Sequence, residues 1–117
     1  MSDEPASADP EPVLVLVHDM IFSSRIAAEA RAAGVPFKIF GDPDALASTP
    51  GRKLIVDLNF QGATEAASAW QKSTGRPVIG FVSHADTQAI AAARAAGIDP
   101  VLARSRFVQV LPELLKA

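Results

Sequence analysis

Lys53-Leu54-Ile55-Val56-Asp57-Leu58-Asn59-Phe60-Gln61-Gly62 decides how the rest of the chain is read. Lys53 to Val56 suit a buried strand, and the apolar residues run on without alternating. That is the pattern of a strand covered on both faces, as in a parallel sheet. The run ends at an acid, Asp57, and a polar turn follows from which a helix can start. In an open α/β sheet, ligands sit at the carboxyl ends of the strands, beside the point where strand order reverses. Asp57 is the acid that this geometry places there.

The same unit recurs on either side. Val13-Leu14-Val15-Leu16-Val17 is a second continuous apolar run, ending at His18-Asp19. A helix should follow, capped by Ser23 or Ser24, running to Ala33 and stopping at Gly34. Pro36 to Phe40 reads as a short strand and Asp42 to Ser48 as a short helix. After the Asp57 turn, a helix from Ala63 or Thr64 to Ser73 should close at Gly75. Pro77 to Val82 reads as the next strand, its proline tolerated at the first position. Ser83-His84-Ala85 is a loop, and Asp86 caps a helix ending at Gly97. Val101-Leu102-Ala103 is a short fifth strand. The last helix runs from Arg106 to about Lys116, with Pro112 either kinking it or starting a second piece. Five alternating β-α units predict an α/β fold with a parallel sheet and helices on both faces. The flavodoxin-like order 2-1-3-4-5 is the choice that suits this length and right-handed crossovers.

Composition narrows the classes. The 117 residues make one domain, 13–117, preceded by an expected disordered acidic tail, 1–12. The tail carries Asp3, Glu4, Asp9 and Glu11 and no base, whereas the remainder holds 11 basic and 9 acidic residues. So balanced a body gives no electrostatic footprint for nucleic acid. No apolar run reaches the roughly 20 residues of a membrane span. There is no secretory signal pattern, so the expected compartment is the cytoplasm. With no cysteine there is no disulfide, thiolate metal site or cysteine nucleophile. No Gly-rich phosphate loop and no G-x-S-x-G elbow is present.

In the order 2-1-3-4-5, the strand ends bring together His18, Asp19, Asp57 and the Val82-Ser83-His84 corner, with Arg104 following the fifth strand. Magnesium-assisted phosphoryl transfer to a carboxylate needs such parts: hard oxygen donors for the ion, a cation for the phosphoryl oxygens, and a hydroxyl or amide for another oxygen. Asp57-Leu58-Asn59-Phe60-Gln61-Gly62 resembles the Asp-Leu-Asn-Met-Pro-Gly turn of response-regulator receiver domains. The resemblance extends over residues 13 to about 115 and rests on the strand ends. It implies Asp57 as phosphoacceptor, with Asp19, Asp57 and the Asn59 backbone carbonyl as magnesium ligands. It places Arg104 where the family has a lysine. Gly97-Ile98-Asp99 resembles the family's Gly-Ala-Asp approach to the fifth strand.

The departures concern mechanism. His18 replaces the first of two acids, which removes a hard ligand and weakens magnesium binding; imidazole favours softer metals. Gln61 and Ser105 replace prolines. Val82 stands where the family has the hydroxyl that follows the phosphoryl group, and Ser83 comes one residue later. A lost hydrogen bond to a charged oxygen is worth about 1.5–3 kcal/mol. Val101 replaces the aromatic residue that swings inward on activation. The resemblance therefore implies a stand-alone, atypical receiver-like signalling domain acting by protein–protein contact, independent of phosphorylation. Its contact surface is expected around the fourth helix, fifth strand and last helix. The partner is a histidine kinase, a downstream signalling protein or a second copy.

The alternative is a conventional magnesium-dependent aspartyl phosphoacceptor of a two-component phosphorelay, able to label itself from small phosphodonors but not otherwise an enzyme. Two further arrangements stay open: a transition-metal site of His18, His84, Asp19 and Asp57, and an Arg104–Asp57 ion pair in an empty cleft. A metal-dependent hydrolase lacks an evident general base beyond the histidines. Trp70 is expected on a packed helix face. Phe107, Val108, Val110, Leu111, Leu114 and Leu115 exceed what one helix face can bury.

Overall fold

Five apolar segments pair edge to edge in the computed structural model, which describes residues 11–59, 61–82 and 87–116. The elements follow in strict alternation: β1 Val13–Leu16, α1 Met20–Ala33, β2 Phe37–Phe40, α2 Pro43–Leu46, β3 Lys53–Asp57, α3 Ala63–Thr74, β4 Val78–Val82, α4 Thr87–Ala95, β5 Val101–Ala103 and α5 Arg104–Lys116. The sheet is parallel throughout, in the order β2-β1-β3-β4-β5, as the sequence predicts. All residues of β1, β3 and β4 are buried, which is why the stretch between Lys53 and Asp57, like β1 and β4, has no polar interruption.

Successive residues of each strand feed opposite layers. Leu14, Leu16, Leu54, Val56 and Val82 pack with α2, α3 and α4 around Trp70. Val13, Val15, Ile55, Ile79 and Phe81 pack with α1 and α5 around Phe22 and Phe107. Gly80 lies in the middle of β4, where a Cβ would come within 2.6 Å of Leu58 and 3.2 Å of Ile98. The missing side chain lets those two close the α3–α4 side of the sheet. Trp70 is buried as expected, and its indole N–H donates to the Thr49 carbonyl at 3.0 Å.

One detail differs from the sequence reading, and two that it left open are decided. Asp19, not Ser23 or Ser24, caps α1: its Oδ1 accepts from the Ile21 and Phe22 amides at 2.8 and 3.1 Å. Ser23 lies a turn inside the helix, where its hydroxyl donates to the Met20 carbonyl. Pro112 does not begin a second piece, because α5 is continuous from Arg104 to Lys116. The last carbonyls of this helix are met from outside it. Arg52 and Lys53, at the start of β3, donate to the Leu115 and Leu114 carbonyls. The surplus of apolar residues in α5 is resolved by grading. Phe107, Leu111 and Leu115 are buried, Val108 and Leu114 pack at the margin, and Val110 is half-exposed. Residues 1–10 of the expected tail lie outside the described residues, while Glu11 pairs with Arg76 at 3.1 Å. No helix among the described residues is long and apolar enough to cross a membrane.

Candidate functional site

Asp57 is the last residue of β3 and only 6% exposed, a carboxylate at the carboxyl edge of the sheet. Its Oδ1 accepts from the Asn59 amide at 3.0 Å. This side-chain-to-backbone bond, two residues on, shapes the turn out of the strand. Gly62 then enters α3 with φ 86°, a left-handed conformation that a side chain would strain. The polar turn is thus a device for leaving the strand at once while keeping the acid on its rim. Strand alternation puts Asp57 on the α1–α5 side with Ile55, and its register partner on β4 is Phe81.

Asp19 and His18 follow β1, the strand next to β3. Both are exposed. The two cap bonds of Asp19 fall on one oxygen, Oδ1, so its other oxygen takes no part in holding the helix. The imidazole of His18 lies beside Gly41, after β2. Arg104 opens α5 directly after β5. Its guanidinium lies over the Phe22 ring, 4.7 Å from the centroid. β4 stands between β3 and β5, which sets Asp57 and Arg104 two strand spacings apart, about 10 Å.

The strand order therefore gathers Asp57, Asn59, Asp19, His18 and Arg104 at one end of the sheet. Ser83, His84 and Asp86 lie outside the described residues. Among the described residues there is no cluster of three or more His, Asp or Glu side chains placed to hold a metal ion. The oxygens of Asp57 and Asp19 and the Asn59 carbonyl are hard donors of the kind that suits magnesium.

Two features, one at the site and one away from it, carried little signal in the sequence. Phe22, Phe81 and Phe107 form an aromatic cluster under Arg104, with centroids 4.9 Å apart for Phe22–Phe81, 5.5 Å for Phe22–Phe107 and 4.3 Å for Phe81–Phe107. Helical spacing from Phe22 to Ile26 and Ala30 marks a core face, but nothing local marks the stack. The second is a shallow groove of about 270 Å³ between α2 and α3, lined by Pro43, Ala47, Ala66, Ala69 and Trp70; it shares no residue with the strand-end cleft.

The positions expected to form a switch are both apolar. Val82 is 3% exposed and packs on the α2–α4 side, and Val101 packs against the same cluster.

No protein-family model matches the chain, and no curated protein matches it in sequence. Solved structures do match. The BeF3-activated DrrB receiver domain superposes with TM-score 0.77 at 12% identity, over 92% of this chain and 96% of that one. The fold is that of response-regulator receiver domains. A CheY-like receiver domain protein from Methanospirillum hungatei JF-1 gives TM-score 0.74 at 13% identity, over 92% of this chain and 95% of that chain. A response regulator receiver protein from Burkholderia phymatum gives 0.70 at 20% identity, over 92% and 96%. The receiver fold thus accounts for the strand order and for the gathering of the strand ends.

Proposed function

We propose that this chain is an atypical receiver-like signalling module that acts by protein–protein contact, its output face uncoupled from the Asp57 cleft. The observation that supports the reading is the pair Val82 and Val101. Both lie in the apolar layer under α3 and α4. Neither offers a hydroxyl to follow a phosphoryl oxygen or a large ring whose burial would report it. Partners would meet the surface around α4, β5 and α5 independently of phosphorylation. They would be a histidine kinase, a downstream signalling protein or a second copy.

A second reading keeps phosphoryl chemistry at the cleft, and the burial of Asp57 on the strand rim favours it. A carboxylate oxygen of Asp57 would attack the phosphorus of a donor, forming an acyl phosphate as the donor's leaving group departs with its bonding pair. Asp19, Asp57 and the Asn59 carbonyl would hold magnesium, which supplies positive charge to the phosphoryl oxygens. Arg104 would supply the rest. Ser83 is the nearest hydroxyl in sequence for another oxygen. His18, in place of a second acid, would weaken the ion's hold.

Amide NMR with magnesium and then beryllofluoride, a non-covalent mimic of the aspartyl phosphoryl group, tests both readings. The first expects any shifts to stay near Asp57 and Asp19. Saturable shifts that spread to Val101 and the neighbouring face of α4 and α5 would refute it. The second expects labelling by a small phosphodonor that Asp57→Asn abolishes; labelling that persists in that variant removes Asp57 from the role.

A further inference from the structure

We propose that Phe22 is a positioning residue: its ring seats the Arg104 guanidinium at the mouth of the Asp57 cleft, ready for a tetrahedral oxyanion there. The inference rests on the second reading above and adds to it a residue outside the set of strand-end acids and bases.

Four observations carry it. Arg104 lies over Phe22 at 4.7 Å, within the range of a cation–π contact. Phe22 is itself held twice. Its amide donates to Asp19 Oδ1 at 3.1 Å, and its ring packs on Phe81 and Phe107 at 4.9 and 5.5 Å. The platform under the guanidinium is therefore fixed by the same acid that borders the cleft. Phe81 is the register partner of Asp57 on β4, so the aromatic cluster adjoins the phosphoacceptor position through one strand. Finally, Arg104 is exposed, and about 10 Å of sheet separates its strand from that of Asp57.

A long exposed arm crossing that span loses rotamer freedom when it binds an anion. An arm already stacked has lost much of it beforehand, so less is lost on binding. The residue type fits this account. A planar guanidinium stacks on a ring while its N–H donors remain free along its edge, which a lysine ammonium on a flexible stem does not do. Phe22 and Arg104 thus act as a pair, and the arginine at this position is explained by the phenylalanine beneath it.

The test is beryllofluoride affinity in saturating magnesium, read by amide NMR on the full chain, with the Arg104 Nε–Hε signal followed in parallel. In the wild type that signal should be shifted by the Phe22 ring current. Phe22→Leu should abolish the shift and weaken binding about two- to fivefold, the loss of one exposed cation–π contact. Phe22→Tyr should restore both. Arg104→Lys keeps the charge at an exposed position and should weaken binding to a similar degree, which covers the case of a leucine variant that does not fold. In an Arg104→Ala background, Phe22→Leu should have no further effect. Wild-type affinity in both Phe22→Leu and Arg104→Lys overturns the positioning role alone. A loss from Phe22→Leu that persists without Arg104 also overturns it, since the ring would then act only through packing. A wild type that binds no beryllofluoride overturns the phosphoacceptor reading and this inference together.

Discussion

Asp19 performs a structural task that the structure shows, the second reading adds a metal-binding task, and two substitutions separate them. Oδ1 of Asp19 accepts from two otherwise orphaned amides, Ile21 and Phe22, at the start of α1. Removing such a cap costs about 1 kcal/mol. Removing the negative charge from the helix N-terminus costs about 0.5 kcal/mol more. Asp19→Ala should therefore destabilise the fold by about 1.5 kcal/mol, a fall in Tm of about 6 °C for a domain of this size. Asn caps about as well as Asp, so Asp19→Asn should lose only the charge contribution, about 0.5 kcal/mol. Both variants remove the same charge from beside the Asp57 end of the sheet, so the difference between them isolates the cap. Urea unfolding without magnesium measures it, reported by the fluorescence of Trp70, the one tryptophan of the chain. A difference below about 0.3 kcal/mol would refute the capping argument. Magnesium titration of the same proteins then addresses the second task. Asp19→Asn should bind the ion more weakly although its fold is nearly intact; unchanged affinity would strike Asp19 from the ligand set.

Three further outcomes follow from the packing. Gly80→Ala should destabilise the fold by about 1–3 kcal/mol, since the new methyl meets Leu58 at 2.6 Å; in a Leu58→Ala background the extra cost should largely vanish, and strict additivity in urea unfolding would contradict this. Trp70→Phe should cost about 1–3 kcal/mol by circular dichroism, because it removes the donor to the Thr49 carbonyl and part of the α2–α3 core; a neutral result would mean that water replaces the indole without loss. Lys53 is buried, and burial first, then the neighbouring Arg52 charge, lowers its pKa below the ordinary lysine value of 10.5. The folded state then releases this proton before the unfolded state does, so stability should rise with pH between the lowered folded value and 10.5, and be flat below it. Lys53→Met should abolish that rise; an identical alkaline slope in the variant would assign it to another group.

Much of the fold was legible because buried parallel strands have a distinctive pattern. Val13 to Val17 and Leu54 to Val56 contain no polar interruption, and only a sheet covered on both faces asks for that. Gly34 and Gly75 mark helix ends because both adopt φ near +70°, where other residues are strained. Asp57 was found for a related reason, since an acid that ends such a run sits on the sheet's rim. The caps were less legible. Asp19, Ser23 and Ser24 all have side chains able to accept from a helix amide, and the choice depends on where the chain leaves β1. Strand pairing settles that, through the Val17 amide bonded to the Phe40 carbonyl at 3.0 Å.

The sequence by itself determined the alternation of strands and helices, the acid at the end of β3 and the valines where a hydroxyl and an aromatic residue would stand. The first two are local properties, readable from periodicity and residue type; the valines stand out only through the resemblance to receiver domains. Only the tertiary structure decided what the distant side chains do. Arg52 and Lys53 hold the end of α5 across more than sixty residues of chain, and Arg104 rests on a phenylalanine from the first helix. The physical reason is that a strand or helix announces itself through the spacing of its own residues. A contact between two elements depends on which of them the sheet places side by side, and that is settled by packing the whole chain around one core.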